Sequence, residues 1–259
     1  MMRIKFIDDF FINRKKNSLP NKNKVHNVKK QMESPSIIVV HTGSSLKQAL
    51  ESGTLHSTLK KRYSKSDIYL LVPAYEKLYN EIISENIIKV SEPMPTKFRE
   101  LEIYKRVHRK LKNTDIYFDL SDYDPRIKII VKRVFNPQFA VSTYNESLKD
   151  DYNILVKSSG SFRDMLNMTG FEISEDKSFF DDVRELAHSR SALPVLIGNS
   201  RHIDSTAKQF NKQSKNFIRI KSPEKTLTKT LIADIIKSDN VIASRQYRSD
   251  IDYLKKQKA

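Results

Sequence analysis

Residues 36–72 read SIIVVHTGSSLKQALESGTLHSTLKKRYSKSDIYLLV. The apolar, β-branched run Ile37–Val40 is a strand candidate. Small polar residues follow at His41–Ser45, then a helical pattern from about Leu46 to Tyr63, then a second apolar strand at Ile68–Val72. Strand, small-residue turn, helix and strand in this order form the repeating unit of a parallel sheet covered by helices. Small residues at the end of such a strand leave room for a ligand. Yet His41–Tyr63 holds no Asp, one Glu and two well-separated His. The turn has the shape of a site without an obvious acid or base.

Outward from this stretch the alternation continues. Tyr75, Leu78, Tyr79, Ile82 and Ile83 fall on one helical face, as do Phe98, Leu101, Tyr104, Val107 and Leu111. Ile87–Val90, Ile116–Leu120 and Phe139–Val141 read as strands, with a helix over Arg126–Phe135. The pattern blurs from Ser142 to about Ser178. It resumes as helix Phe179–His188, strand Pro194–Gly198, helix Ile203–Gln213, strand Phe217–Ile220, helix Leu227–Lys237 and strand Val241–Ser244. The expected fold is α/β with two Rossmann-like parallel-sheet domains, the second short. The expected boundaries are a basic N-terminal arm at 1–34, a first domain at 35–170 and a second at 171–259.

The chain of 259 residues carries 47 Lys and Arg against 31 Asp and Glu, a formal charge of +16. Such a balance favours anionic partners: phosphorylated sugars, nucleic acid or an acidic membrane face. Seven of the basic residues crowd Arg14–Lys30, an arm expected to remain solvated or to approach anionic lipid. The absence of Cys excludes disulfides and thiolate metal sites. Asp8 and Asp9 interrupt the apolar start and argue against a signal peptide. No run of about 18 apolar residues suggests a membrane span. A cytoplasmic chain able to rest on the inner face of the membrane is expected.

Ligands of open parallel sheets bind beyond the carboxyl ends of the strands. That rule nominates the loops His41–Ser45, Pro73–Ala74, Ser91–Pro95 and Ser121–Pro125 of the first domain. In the second it nominates Gly198–Arg201, Lys221–Pro223 and Ser244–Arg248. Hydroxyl, amide and guanidinium groups at helix N-termini suit a diphosphate. Asp122 and Asp124 form an Asp-x-Asp pair that could hold a divalent metal, but such pairs are common in turns, and Pro125 suits a helix start. Gly43 stands alone, without a dinucleotide or Walker loop. The six His show no metal-ligand spacing. No metal or resident cofactor is expected.

The first domain resembles the N-terminal half of the lipopolysaccharide heptosyltransferase family, glycosyltransferases of the two-Rossmann B-type fold. Residues 37–72 follow the family's strand, small turn, helix ending in a Leu-Lys-x-x-Tyr-like pattern, and second strand. The segment LKNTDIYFDLSDYDPRIKIIVKRVFNPQFAVS (111–142) is similar to its helix, Tyr-Asp-x-x-Ile-Asp-Leu, helix and closing strand. RDMLNMTGFEI (163–173) looks like its Leu-x-x-Leu-Gly segment. LPVLIGNS (193–200) and KTLTKTLIADIIKSDNVIAS (225–244) resemble its donor-side strands. The likeness spans most of 36–244. It implies transfer of a sugar from a nucleotide sugar to an anionic glycan or lipid-linked acceptor.

The departures matter as much. Aligned back from Leu59–Tyr63, the family's Gly-Asp falls on Lys47 and Gln48. The resemblance implies an Asp base there. Gln holds a hydroxyl but cannot usefully take its proton. Glu51, one turn on, is the substitute. The family's Asp-Thr-Gly-x-x-His motif is also missing: the matching segment reads SRQYRSDIDYLKKQKA (244–259). The expected acceptor-side residues are Gly43, Ser44, Ser45 and Arg126, with Gln48 and Glu51 at the chemistry. Asn199, Arg201, Ser244 and Arg245 are expected at the donor. Two other readings stay open: a glycosyltransferase-fold protein that binds without turnover, and a nucleic-acid binder supported by charge alone, for which specific recognition is the least expected outcome.

Overall fold

The computed structural model describes Lys16 and residues 34–91, 101–111, 113–157, 162–174 and 176–256. Most of the basic arm, residues 92–95 of the third nominated loop, and Phe98 lie outside them. The chain divides into two compact units. One holds the described residues up to Ser44, Leu55–Pro73 and Glu85–Ser174. The other holds Ser45–Thr54, Ala74–Ser84 and the described residues of 175–259. Two short N-terminal segments group with the C-terminal part.

The first unit is built on six parallel strands: β1 (Ile37–His41), β2 (Asp67–Val72), β3 (Ile87–Lys89), β4 (Ile116–Asp119), β5 (Phe139–Thr143) and β6 (Ile154–Val156). Their order is β3-β2-β1-β4-β5-β6. This is the doubly wound order, in which the direction of travel reverses between β1 and β4. Val39, Leu71 and Tyr117 pack with Val90, Tyr104, Ile130 and Phe135 in a continuous core. Tyr117 and Phe135 stack at 5.5 Å between ring centroids. Strands β1 and β4 are buried along most of their length, which is why they read as near-continuous apolar runs.

The helix expected over 46–63 is two helices, α1 (Leu46–Leu50) and α2 (Ser52–Arg62). The Ser52 hydroxyl donates to the Ala49 carbonyl at 2.6 Å, and Glu51 caps α1. A local side-chain bond of this kind competes with the helical ladder. Helix α3 (Glu76–Ile82) follows β2, and α4 (Leu101–Leu111) precedes β4. Helix α5 (Pro125–Phe135) starts where Asp124 accepts the Arg126 amide at 2.9 Å, with Pro125 in the first turn. The region that blurs in the sequence contains β6 and α6 (Phe162–Met168).

The second unit carries α7 (Ser178–Ser189), β7 (Val195–Ile197), α8 (Arg201–Lys212), β8 (Ile218–Ile220), α9 (Pro223–Thr226), α10 (Lys229–Lys237), β9 (Val241–Ala243) and α11 (Arg248–Lys256). Its three strands are parallel in the order β8-β7-β9. Leu196 packs on Ile203 and Ala207 of α8. The helix expected from Leu227 begins at Lys229, because the Thr228 side chain accepts the Leu231 amide and fixes the start. The final helix α11 buries Ile251 and Leu254. The architecture is α/β with a parallel six-stranded sheet and a second, small parallel sheet. Among the described residues no helix is long and apolar enough to cross a membrane.

Candidate functional site

The second unit forms a cavity of about 780 Å³ at the carboxyl ends of its three strands, lined by Asn199, Ser200, Ser222, Glu224, Ser244, Arg245, Gln246 and Tyr247. Each of the three nominated loops of this unit supplies part of it. After β7, Gly198 takes φ +103°, and its amide donates to the Ile220 carbonyl at 2.8 Å. A Cβ there would lie 2.7 Å from the Ser244 Cβ, so only glycine fits without movement. Ser200 caps α8, accepting the Ile203 amide at 3.4 Å. The N-terminus of that helix is thus presented at the cavity.

After β9 the Ser244 amide donates to the Ile197 carbonyl at 2.8 Å, tying the last loop to the first. The chain then makes a short 3-10 turn over Arg245–Tyr247. The Ser244 hydroxyl oxygen is buried and has no hydrogen-bond partner among the described residues. Such an atom carries a desolvation cost that a bound polar group would relieve. The far wall is acidic and phenolic. Tyr247 donates to Glu224 at 3.0 Å, and the Tyr75 amide donates to the Glu224 carbonyl at 2.7 Å. The Tyr75 hydroxyl lies 3.4 Å from Asp250. Burial pushes both the Tyr75 phenol and the Asp250 carboxyl above their usual ranges.

Asn199, Ser244 and Arg245 therefore meet at one cavity. Arg201, the first residue of α8, is exposed and is not among the lining residues. Sequence reasoning named no individual residue among Ser200, Ser222, Glu224, Gln246 and Tyr247. The signal is the carboxyl-end rule itself, which nominates the loops of all of them except Glu224, a residue of α9 just past the second loop.

The strand-end turn of the first unit has a different character. The Ser44 amide and hydroxyl donate to Asp122 Oδ2 at 2.9 and 3.0 Å. A Cβ on Gly43 would come within 2.6 Å of that oxygen, so glycine is what lets the carboxylate approach. Asp122 is itself exposed. Arg126 is held by Asp124 through Nε and Nη2, each at 3.0 Å. Asp122 and Asp124 thus serve the turn and the α5 cap. No group of three or more His, Cys, Asp or Glu suited to a metal occurs among the described residues.

Ser45, Gln48 and Glu51 fall in the second unit with α1. Ser45 sits at the α1 N-cap position without a side-chain capping bond. Gln48 is only 2% exposed. Glu51 is partly exposed, with Lys47 Nζ 3.7 Å from its Oε1.

Behind the first turn lies a buried polar network that sequence reasoning did not nominate. At the reversal point His41 on β1 stands in register with Asp119 on β4. Tyr104 donates its single proton to the Ser91 carbonyl at 2.9 Å, so it can only accept from His41 Nε2, 3.4 Å away. His41 Nε2 therefore carries the hydrogen, and Nδ1 accepts from the Tyr117 hydroxyl at 2.9 Å. Burial holds this imidazole down at a pKa of about 4, against the pull of Asp119. Asp119 accepts from Ser121 (amide 3.0 Å, hydroxyl 2.7 Å) and from Tyr152 at 2.7 Å. Burial would raise its pKa, but Lys128 at 3.7 Å and these donors hold it below the usual carboxylate value. Both groups are fully buried, which marks the network as a rigid support for the strand ends.

No family model matches the chain, and no curated protein matches it. Among solved structures it is similar to the glycosyl transferase family 9 protein from Veillonella parvula DSM 2008. That comparison gives 14% identity and a TM-score of 0.44, covering 80% of this chain and 75% of the other.

Proposed function

We propose that the chain is a glycosyltransferase-like protein that binds a nucleotide sugar through its second unit and takes a glycan or lipid-linked acceptor. The observation that carries this reading is the cavity at the ends of β7, β8 and β9. It combines a helix N-terminus, the Ser200 and Ser222 hydroxyls, the Asn199 amide, Arg245, and a buried Ser244 hydroxyl without a partner. This is the donor set that a diphosphate requires: hydrogen-bond donors at a positive helix end, with an exposed arginine beside them. The cavity volume lies in the range of small-molecule sites. The heptosyltransferase resemblance supplies the sugar and the surface-glycan acceptor, and the net positive charge suits an anionic one.

In this reading Asn199, Ser244 and Arg245 hold the diphosphate. Gly43, Ser44, Ser45 and Arg126 belong to the acceptor side. The proton of the acceptor hydroxyl goes to Glu51 or to Asp122, the exposed carboxylate that the Gly43–Ser44 turn presents. The second reading, binding without turnover, is favoured by Gln48, an amide at the position where the resemblance implies the base.

The test is a thermal-shift titration with ADP, UDP, GDP and their sugars. A ligand at a hundred times its Kd stabilises the folded state by about 2.7 kcal/mol. Ser244→Ala and Arg245→Ala should each erase the shift without loss of fold. If no nucleotide shifts the wild-type protein, the donor assignment fails. Where a nucleotide sugar does bind, turnover is assayed with Glu51→Gln and Asp122→Asn. Loss of about a hundredfold in kcat identifies the base. Binding without any turnover selects the second reading.

A further inference from the structure

The first unit has a second cavity, at the opposite end of its sheet from the Gly43–Ser44 turn. It has a volume of about 430 Å³ and is lined by residues at the start of β1 or just before it, by residues that precede β4 and β5, and by the last turns of α4 and α5. Three side-chain atoms of its lining residues are buried and have no hydrogen-bond partner among the described residues: His108 Nδ1, Thr114 Oγ1 and Asn136 Oδ1. Thr114 is only 1% exposed. Buried polar atoms are satisfied in the great majority of folded proteins, so three around one cavity call for a guest.

The chemistry of the lining identifies the guest. In a chain of net charge +16, no Lys or Arg is among the described residues that line this cavity. Asp115 is the one charged residue among the described lining residues; it accepts the Ser36 amide at 2.7 Å, the Ile37 amide at 3.0 Å and Gln138 Nε2 at 2.8 Å. A carboxylate offers about four acceptor positions, so one remains, on Oδ1. Helices α4 and α5 both end here, and helix carboxyl ends carry partial negative charge and orphan carbonyls. Burial also lowers the His108 pKa, which keeps the ring neutral. The cavity is therefore rich in acceptors and disfavours anions. Phe135 and Leu111 supply an apolar wall.

We infer that this cavity is a binding site for a small protonated amine bearing hydroxyl groups, with Asp115 facing the ammonium and Thr114, Asn136 and His108 taking its remaining polar atoms. The site is separate from the nucleotide cavity and stands or falls without it.

The test uses the full chain and calorimetric titration, with glucosamine as the probe, glucose as its neutral analogue and glucose 6-phosphate as its anionic one. Glucosamine should bind at one site per chain. The other two should bind at least about tenfold more weakly, a difference of about 1.4 kcal/mol. Thr114→Val removes the hydroxyl at constant shape. It should weaken glucosamine by about tenfold or more. Its ligand-free melting temperature should be unchanged or higher, since an unpartnered buried hydroxyl is lost. Thr114→Ser should retain binding. The inference is overturned if glucosamine does not bind at millimolar concentration, or if glucose 6-phosphate binds as well as it does. It is also overturned if Thr114→Val melts lower than wild type, because the hydroxyl then serves the fold.

Discussion

Asp119→Asn separates an electrostatic account of the β1–β4 strand ends from one based on shape. The carboxylate is fully buried, 3.7 Å from Lys128 Nζ, and Lys128 is itself 5% exposed. Asparagine keeps the shape and still accepts from the Ser121 amide and hydroxyl. It removes the counter-charge and replaces one acceptor by a donor, and Tyr152 must redirect its proton to the Lys128 carbonyl at 3.2 Å. Breaking one side of a buried ion pair costs about 3–5 kcal/mol, because the remaining charge stays in a poor solvent. For a protein of this size that corresponds to a fall of roughly 6–20 °C in Tm. The assay is thermal and urea unfolding followed by circular dichroism at neutral pH. Adding Lys128→Met to the variant should restore most of the loss, since the orphan charge is then gone. The Asp119 carboxyl sits below its unfolded value, so its contribution is present above about pH 4 and lost as pH falls further; the Asn variant should lack that acid limb. A single variant within about 1 kcal/mol of wild type would refute the reasoning. So would a double variant no better than the single one, which would place the cost in packing.

Two further outcomes follow from the same geometry. His41 titrates at about 4 when folded, below its ordinary 6.5, so the folded state favours the neutral ring. Its contribution is fully present above pH 6.5 and is lost as pH falls toward 4, by about 3 kcal/mol in all. The groups facing it are Asp119, Asp122, Lys128, the hydroxyls of Tyr104 and Tyr117, and the Tyr123 ring, 4.9 Å away between centroids. His41→Gln should flatten unfolding free energy across that window, and an unaltered slope would remove His41 as its source. Gly198→Ala places a Cβ at φ +103° and 2.7 Å from the Ser244 Cβ. It should cost about 1–3 kcal/mol and abolish any nucleotide-induced thermal shift. A variant that retains the shift would show that the Gly198–Ser244 approach does not shape the cavity.

The central strands of the six-stranded sheet were legible because they are largely buried on both faces. IIVV, DIYLLV and IYFD need no alternation, and their lengths are those of strands. Strand β6 was not legible, because a three-residue ILV flanked by polar residues carries no period to detect. Helix α11 was hidden for the opposite reason: only Ile251 and Leu254 of its nine residues are buried, so its apolar stripe is too narrow to stand out from the charged tail. The cavity at the ends of β7, β8 and β9 was legible as three loops, because the carboxyl-end rule depends on chain direction and not on residue type. Of its members Asn199, Ser244 and Arg245 could be named, but Ser222, Glu224 and Tyr247 could not, since they are ordinary surface residues until the strands bring them to one cavity. The amine cavity lies at the amino ends of the strands, where that rule looks away. His108 and Thr114 are six residues apart in sequence, and Asn136 follows 22 residues after Thr114. In one dimension they read as a half-exposed histidine on the last turn of α4, a loop threonine and a helix-capping asparagine. They become a set only through their shared lack of partners, and that property exists only once the chain has folded.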